Sequence, residues 1–233
     1  MSEAIRFPRF GNYGRFGNQL FQYAYCRAVA DRGDSRLELP PWVGDVLFPN
    51  ARRDDITDGP AAEICSYCQD AGHLALYTRE QVREWFTLAD EFRMPKILER
   101  YIACNYRGGD YRDRPDLYAV VSRGSIEREA VSRGYDPEDV EWVTDEAQHR
   151  PTVAWPETEW GLEFLADWQI LLDAPVLFRA NSTFSWWAAE FGEHEEVFSP
   201  VIGDRSGPGD YPFSRGNQWP LARGHHPLRI RPC

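Results

Sequence analysis

"VLFRANSTFSWWAAEFG", residues 176–192, is the stretch that decides the fold. Val176 to Arg179 read as a strand, and Ala180 to Thr183 as a polar loop. Phe184, Trp187, Ala188 and Phe191 then fall on one side of a helix, because positions three and four apart share a helical face. Gly192 stands where such a helix ends. A strand that passes through a hydroxyl-bearing loop into an apolar-striped helix is half of a βαβ unit. The Trp186-Trp187 pair reads as core, with Trp187 on the buried stripe.

Working outward, the same alternation recurs. Leu162, Leu165, Trp168, Gln169 and Leu172 give the helix before this strand, and Val197 to Val201 a strand after its helix. Tyr101 to Tyr106 ("YIACNY") and Val140 to Thr144 ("VEWVT") are further strands, with a helix over 125–133 between them. Towards the N-terminus, residues 4–10 read as a strand, 19–31 as a helix begun at Asn18 and closed near Gly33, and 35–39 as a second strand. Residues 42–75 read as loops with one or two short strands, 78–90 as helix, and the Gly/Pro-rich tail from Gly203 as loop. Strands alternating with helices predict an α/β fold with a mainly parallel sheet.

Ligands of open parallel sheets gather outside the carboxyl ends of the strands. The loops there are 11–18, 107–112, 145–148 and 180–183. The first, within "GNYGRFGNQLFQYAY" (residues 11–25), spaces Gly11, Gly14 and Gly17 around Arg15. Glycine suits backbone of positive φ or close ligand approach, and a loop opening a helix presents unpartnered N–H groups to an anion. The same residues also read as a plain turn with Asn18 as helix cap. The second loop brings Arg107 beside two glycines, and a structural ion pair of Arg107 with Asp110 is its plainer reading. The third brings Asp145 and Glu146, the fourth Asn181, Ser182 and Thr183.

Composition narrows the classes. The chain has 233 residues, 42% hydrophobic and 14% aromatic with nine tryptophans, enough for a large core or two small ones. A net charge of −11 disfavours nucleic acid and anionic membranes as partners. Lys96 is the single lysine, so a P-loop is excluded and one Schiff-base candidate remains. The G-x-x-G-x-x-G spacing is not the G-x-G-x-x-G of dinucleotide oxidoreductases. Five scattered cysteines, Cys26, Cys65, Cys68, Cys104 and Cys233, predict reduced thiols and a cytoplasmic setting. Cys65, Cys68 and His73 amount to half a zinc site with no second pair. His225 and His226 read as exposed and inert. No signal or membrane-spanning segment is expected.

"GRFGNQLFQYA" and "ANSTFSWWAA" resemble the first and last signature blocks of the α-1,2-fucosyltransferase family. "NYRGGDY" stands where that family has H-x-R-R-G-D-Y, and "DPEDVEWVTDE" is similar to its strand ending in a serine and two aspartates. The four blocks come in the family's order. The resemblance implies a GT-B enzyme: two Rossmann-like domains facing a cleft, the N-terminal one reduced, divided as 1–98 and 99–233. It implies transfer of a sugar from a nucleotide-sugar donor such as GDP-fucose to a hydroxyl of a glycan acceptor, with inversion and without a metal or other cofactor. Arg107 matches the arginine that binds the donor diphosphate, Asp110 the motif's aspartate, and Asp145 lies near the nucleoside. Ser182, Thr183 and the Phe184 N–H complete a phosphate cradle. Gly14, Arg15, Gly17 and Asn18 close the site from the N-terminal domain, with Arg107 and Asn18 in catalytic roles. Asp110 and Glu146 are the general-base candidates. Asn105 replaces the motif's histidine and Gly108 its second arginine. Those departures keep two alternatives open: a related transferase using another nucleotide sugar, and an inactive homologue that binds nucleotide or glycan.

Overall fold

The computed structural model describes residues 3–95, 102–116, 118–146 and 155–218. These divide into two units, the first holding residues 3–93 with Trp155–Gly161, the second the rest. The expected boundary at 98/99 falls outside the described residues, as do Lys96, His225, His226 and Cys233.

In the first unit, β1 (Ala4–Arg6) lies between β2 (Leu37–Glu38) and β3 (Ala61–Glu63), parallel to both. Helix α1 (Phe16–Arg32) follows β1 and packs on β1 and β2. Its Leu20, Phe21, Tyr23 and Ala24 are buried beside Leu37, Trp42 and Phe48, and the Tyr23 ring stacks on Trp42 at 5.1 Å. Two one-turn helices, α2 (Gly44–Leu47) and α3 (Ala71–Leu74), sit in the stretch read as loop. Thr78 and Gln81 form a reciprocal capping box on α4 (Arg79–Trp85), which fixes where that helix starts. Glu38 is buried in β2 yet ionised: burial pushes its carboxyl up, but hydrogen bonds from Arg6 Nε (2.7 Å) and Thr57 Oγ1 (2.8 Å) outweigh it and hold it below its ordinary value.

The second unit is a five-stranded sheet flanked by helices. Its elements are β4 (Ile102–Tyr106), α5 (Gly109–Arg112), β5 (Ala119–Val121), α6 (Arg123–Ser132), β6 (Val140–Thr144), α7 (Phe164–Asp173), β7 (Val176–Phe178), α8 (Thr183–Phe191), β8 (Glu196–Pro200), β9 (Gly207–Gly209) and β10 (Phe213–Arg215). The strand order is β10-β8-β7-β4-β6, parallel except for β10. All five residues of β4 are buried, as a strand covered on both faces requires. Ile102, Cys104, Val176, Phe178 and Phe198 form one face with Ile126 and Ala130 of α6. Alternation turns Ala103, Asn105 and Leu177 to the other face. Helix α7 crosses β4 and β6 and packs against α8, burying Leu165, Trp168 and Leu171, with Trp187 buried on α8. The tail after Gly203 is not all loop: β9 pairs with β5, and β10 extends the main sheet antiparallel.

The described parallel sheets establish a mixed α/β fold. No described helix is long and apolar enough to cross a membrane.

Candidate functional site

The chain runs from β4 outward to β6, then returns to place β7 on β4's other side. This reversal makes the carboxyl ends of β4 and β7 a topological switch point, where open parallel sheets leave a crevice. Two loops singled out by sequence follow these neighbouring strands, Arg107–Gly109 after β4 and Ala180–Ser182 after β7.

Arg107 is held from two sides. Its Nε lies 3.2 Å from Asp145 Oδ2, its Nη2 2.8 Å from Asp110 Oδ1, and its guanidinium 5.2 Å from the Tyr111 ring centre. Tyr111 in turn stacks on Tyr118 at 4.2 Å. The pairing with Asp110 is thus real, and Asp145 adds to it. Asp145 Oδ1 accepts from the N–H groups of Gly108 and Gly109, both at 3.0 Å. Asp145 thus fastens the loop after β4 to the end of β6.

The glycines are needed here for space. A Cβ on Gly108 would meet the Tyr106 ring at 2.5 Å, and one on Gly109 would meet Asp145 Oδ2 at 2.7 Å. Tyr106 cannot easily give way. Arg123 lies over its ring at 4.8 Å and over Trp142 at 5.4 Å, while Arg112 lies over Tyr106 at 5.7 Å and donates to its hydroxyl. That hydrogen bond, then the fields of Tyr106 and Glu146, hold Arg112 above its ordinary value. Glu146 accepts from Arg112 at Oε1 and Arg123 at Oε2, each at 3.0 Å. Both general-base candidates, Asp110 and Glu146, therefore sit in arginine ion pairs.

At the other loop, Ser182 is the N-cap of α8, and its Oγ accepts the Phe184 N–H at 3.2 Å. Two members of the expected cradle are thus bonded to each other, beside Thr183 at the first helical position. Ser185 Oγ donates back to Ser182 O at 3.3 Å and fastens the turn.

Gly14, Arg15, Gly17 and Asn18 belong to the first unit. Helix α1 begins at Phe16, so Arg15 rather than Asn18 is the cap residue, and Gly17 is helical and buried. Asn18 Oδ1 accepts from Gln69 Nε2 at 2.8 Å. Gly11 and Gly14 have φ of +84° and +96°, and Gln22 Nε2 donates to Tyr13 O at 2.9 Å, stitching the loop to its own helix.

Among the described residues, no group of three or more His, Cys, Asp and Glu is placed to hold a metal ion. His73 pairs with Asp70 at 2.9 Å and its ring meets Tyr25 at 4.4 Å. Cys26, Cys68 and Cys104 are buried free thiols.

Sequence reading passed over one residue. Arg179 directly follows β7 and is fully buried, a charge closing an apolar run that was read only as strand.

This architecture defines an α/β protein with a polar, arginine-bearing switch point. No family model matches the chain, and no curated protein matches it. Solved structures similar to it include two of one protein. One is the bacterial iron-containing dodecameric glycosyltransferase TibC from enterotoxigenic E. coli H10407, with 14% identity, 80% of this chain and 56% of that chain covered, and a TM-score of 0.45. The other is the dodecameric iron-containing heptosyltransferase TibC in complex with ADP-D-β-D-heptose, with 15% identity, 86% and 58% covered, and a TM-score of 0.45. The chain spans less than two thirds of the solved chains it matches, and the likeness is a partial one of chain path.

Proposed function

We propose that the second unit binds the diphosphate of a nucleotide sugar and that the chain is a glycosyltransferase, moving L-fucose from GDP-fucose to a glycan hydroxyl with inversion. The observation that carries the reading is that the Arg107 loop and the start of α8 follow the neighbouring parallel strands β4 and β7 at their switch point. The ordered fucosyltransferase-like blocks support it, since two of them form those two loops. As the bond from sugar to diphosphate breaks, negative charge grows on the leaving oxygens. A cation already fixed by its neighbours stabilises that charge without reorganising. Arg107 suits this task because Asp145, Asp110 and Tyr111 set its orientation before any ligand arrives. Ser182, Thr183 and the Phe184 N–H complete the donor side once Ser182 turns its hydroxyl to the ligand.

A second reading, nucleotide binding without turnover, is favoured by Gly108. The arginine that the resemblance calls for would start with a Cβ 2.5 Å from Tyr106, so position 108 has no room for it. Calorimetric titration with GDP, UDP, dTDP and GDP-fucose, followed by a transfer assay on glycan acceptors, separates the readings. GDP and GDP-fucose binding with turnover supports fucosyl transfer, and binding without turnover supports the second reading. Selective binding of UDP or dTDP would replace fucose with another donor, and no binding at all would sink both.

A further inference from the structure

Arg179 is a fully buried cation in the second unit. It has no exposed surface. Its Nη1 donates to Ser199 Oγ at 3.0 Å, to Gln218 O at 2.8 Å and to Asn217 Oδ1. Among the described residues its Nε and Nη2 have no hydrogen-bond partner. Among the described residues no carboxylate forms an ion pair with it. The nearest negative field is that of Glu190 on α8, which reaches it through the Asn217 amide: Asn217 Nδ2 donates to Glu190 Oε1 and, at 3.2 Å, to Trp186 O. Burial pushes the guanidinium below its ordinary value, to about 9, with Glu190 offsetting part of the shift, so it remains charged at neutral pH.

Buried N–H donors are almost always satisfied, and a buried cation needs a counter-charge. The two unspent donors of Arg179 are not scattered. Nε–H and one Nη2–H form the side-on edge of a planar guanidinium, the fork that takes two oxygens of a phosphate or carboxylate together. Arg179 follows β7 at the switch point, three residues before the Ser182 cap of a nine-residue helix. On the adjoining strand, position 108 has no space for a second arginine beside Arg107.

We propose that the free Nε–Nη2 edge of Arg179 is an oxyanion subsite, which takes a phosphate oxygen pair of the diphosphate ligand and supplies from β7 the second cation missing after β4. The proposal rests on the reading above that a nucleoside diphosphate binds at the switch point. Because Arg179 is fully buried, the oxyanion reaches it after a local opening.

The test uses the whole chain, with inorganic pyrophosphate and GDP as calorimetric probes and thermal melts as the folding control. Arg179→Lys keeps the charge but removes the fork, and is expected to lower affinity for both probes at least tenfold. Asn217→Asp keeps Arg179 and places a carboxylate against Nη1. It is expected to lower affinity to a similar extent, and it decides the matter if Arg179→Lys does not fold. A folded variant of either kind that binds pyrophosphate within twofold of wild type overturns the subsite alone. So does a pyrophosphate-bound crystal structure with only water at the fork. Failure of the wild-type chain to bind either probe overturns the subsite together with the diphosphate reading.

Discussion

Asp145 offers the most exacting test of how the site is built. Its carboxylate, 14% exposed, receives the N–H groups of Gly108 and Gly109 at 3.0 Å each and faces Arg107 Nε at 3.2 Å. Gly108 is buried, so its N–H has no water to turn to if Asp145 is lost, whereas half-buried Gly109 regains part of its bonding from solvent. A hydrogen bond to a charged group contributes about 1.5–3 kcal/mol, and a stranded buried donor costs about 1–3 kcal/mol. Arg107 keeps Asp110, an exposed partner of small worth. Asp145→Ala is therefore expected to cost about 3 kcal/mol. Asp145→Asn keeps an acceptor oxygen for both N–H groups and loses only the charge, for a cost of about 1 kcal/mol. Urea unfolding of the two variants, with native-state amide exchange at Gly108 and Gly109, reads the difference. If Asp145→Ala stays within 1 kcal/mol of wild type and both amides keep their protection, the carboxylate is not what folds this loop, and the account of Arg107's orientation fails with it.

Other outcomes follow from the same physics. Gly14→Ala should destabilise the first unit by about 1–2 kcal/mol in thermal or urea melts, since φ is +96° and the new Cβ would lie 1.8 Å from Asn18 Nδ2. Glu38→Gln removes the buried charge that Arg6 and Arg36 pair with and should cost about 3 kcal/mol. The native Glu38 carboxyl sits below its ordinary value, so its contribution is present above the unfolded carboxylate range and fades as pH falls through the folded value. Urea midpoints measured from pH 7 down to 3 should fall less steeply for Glu38→Gln than for wild type, and parallel curves would refute the assignment.

Much of the second unit was legible because its signals are local and long. The run over 176–192 marks β7, the Ser182 cap and α8, and Val140–Thr144 is a strand with the bounds expected. The predicted stripe was less accurate in detail: Phe184 and Phe191 are only half-buried, while Trp186 joins Trp187 inside. Strands β5, β9 and β10 were missed because three residues carry no alternation to read, and Gly207-Pro208-Gly209 looks like a turn until β5 lies alongside it. Asn18 looked like a cap because the residue type favours caps. The structure starts α1 earlier, at Phe16, and gives the Asn18 side chain to Gln69, a partner 51 residues away.

By itself, then, the sequence determined the alternation of strand and helix, the apolar faces, and which loops carry arginine, glycine, carboxylate and hydroxyl. Those properties depend on neighbours within one or two turns of the chain. Only the tertiary structure decided which loops share the switch point, since strand order is set by pairing between distant segments. It also decided that Asp145 folds the Arg107 loop and that Arg179 is buried with its Nε and Nη2 donors unspent. A side chain's hydrogen-bond partners and its distance from water are properties of packing, and no local pattern encodes them.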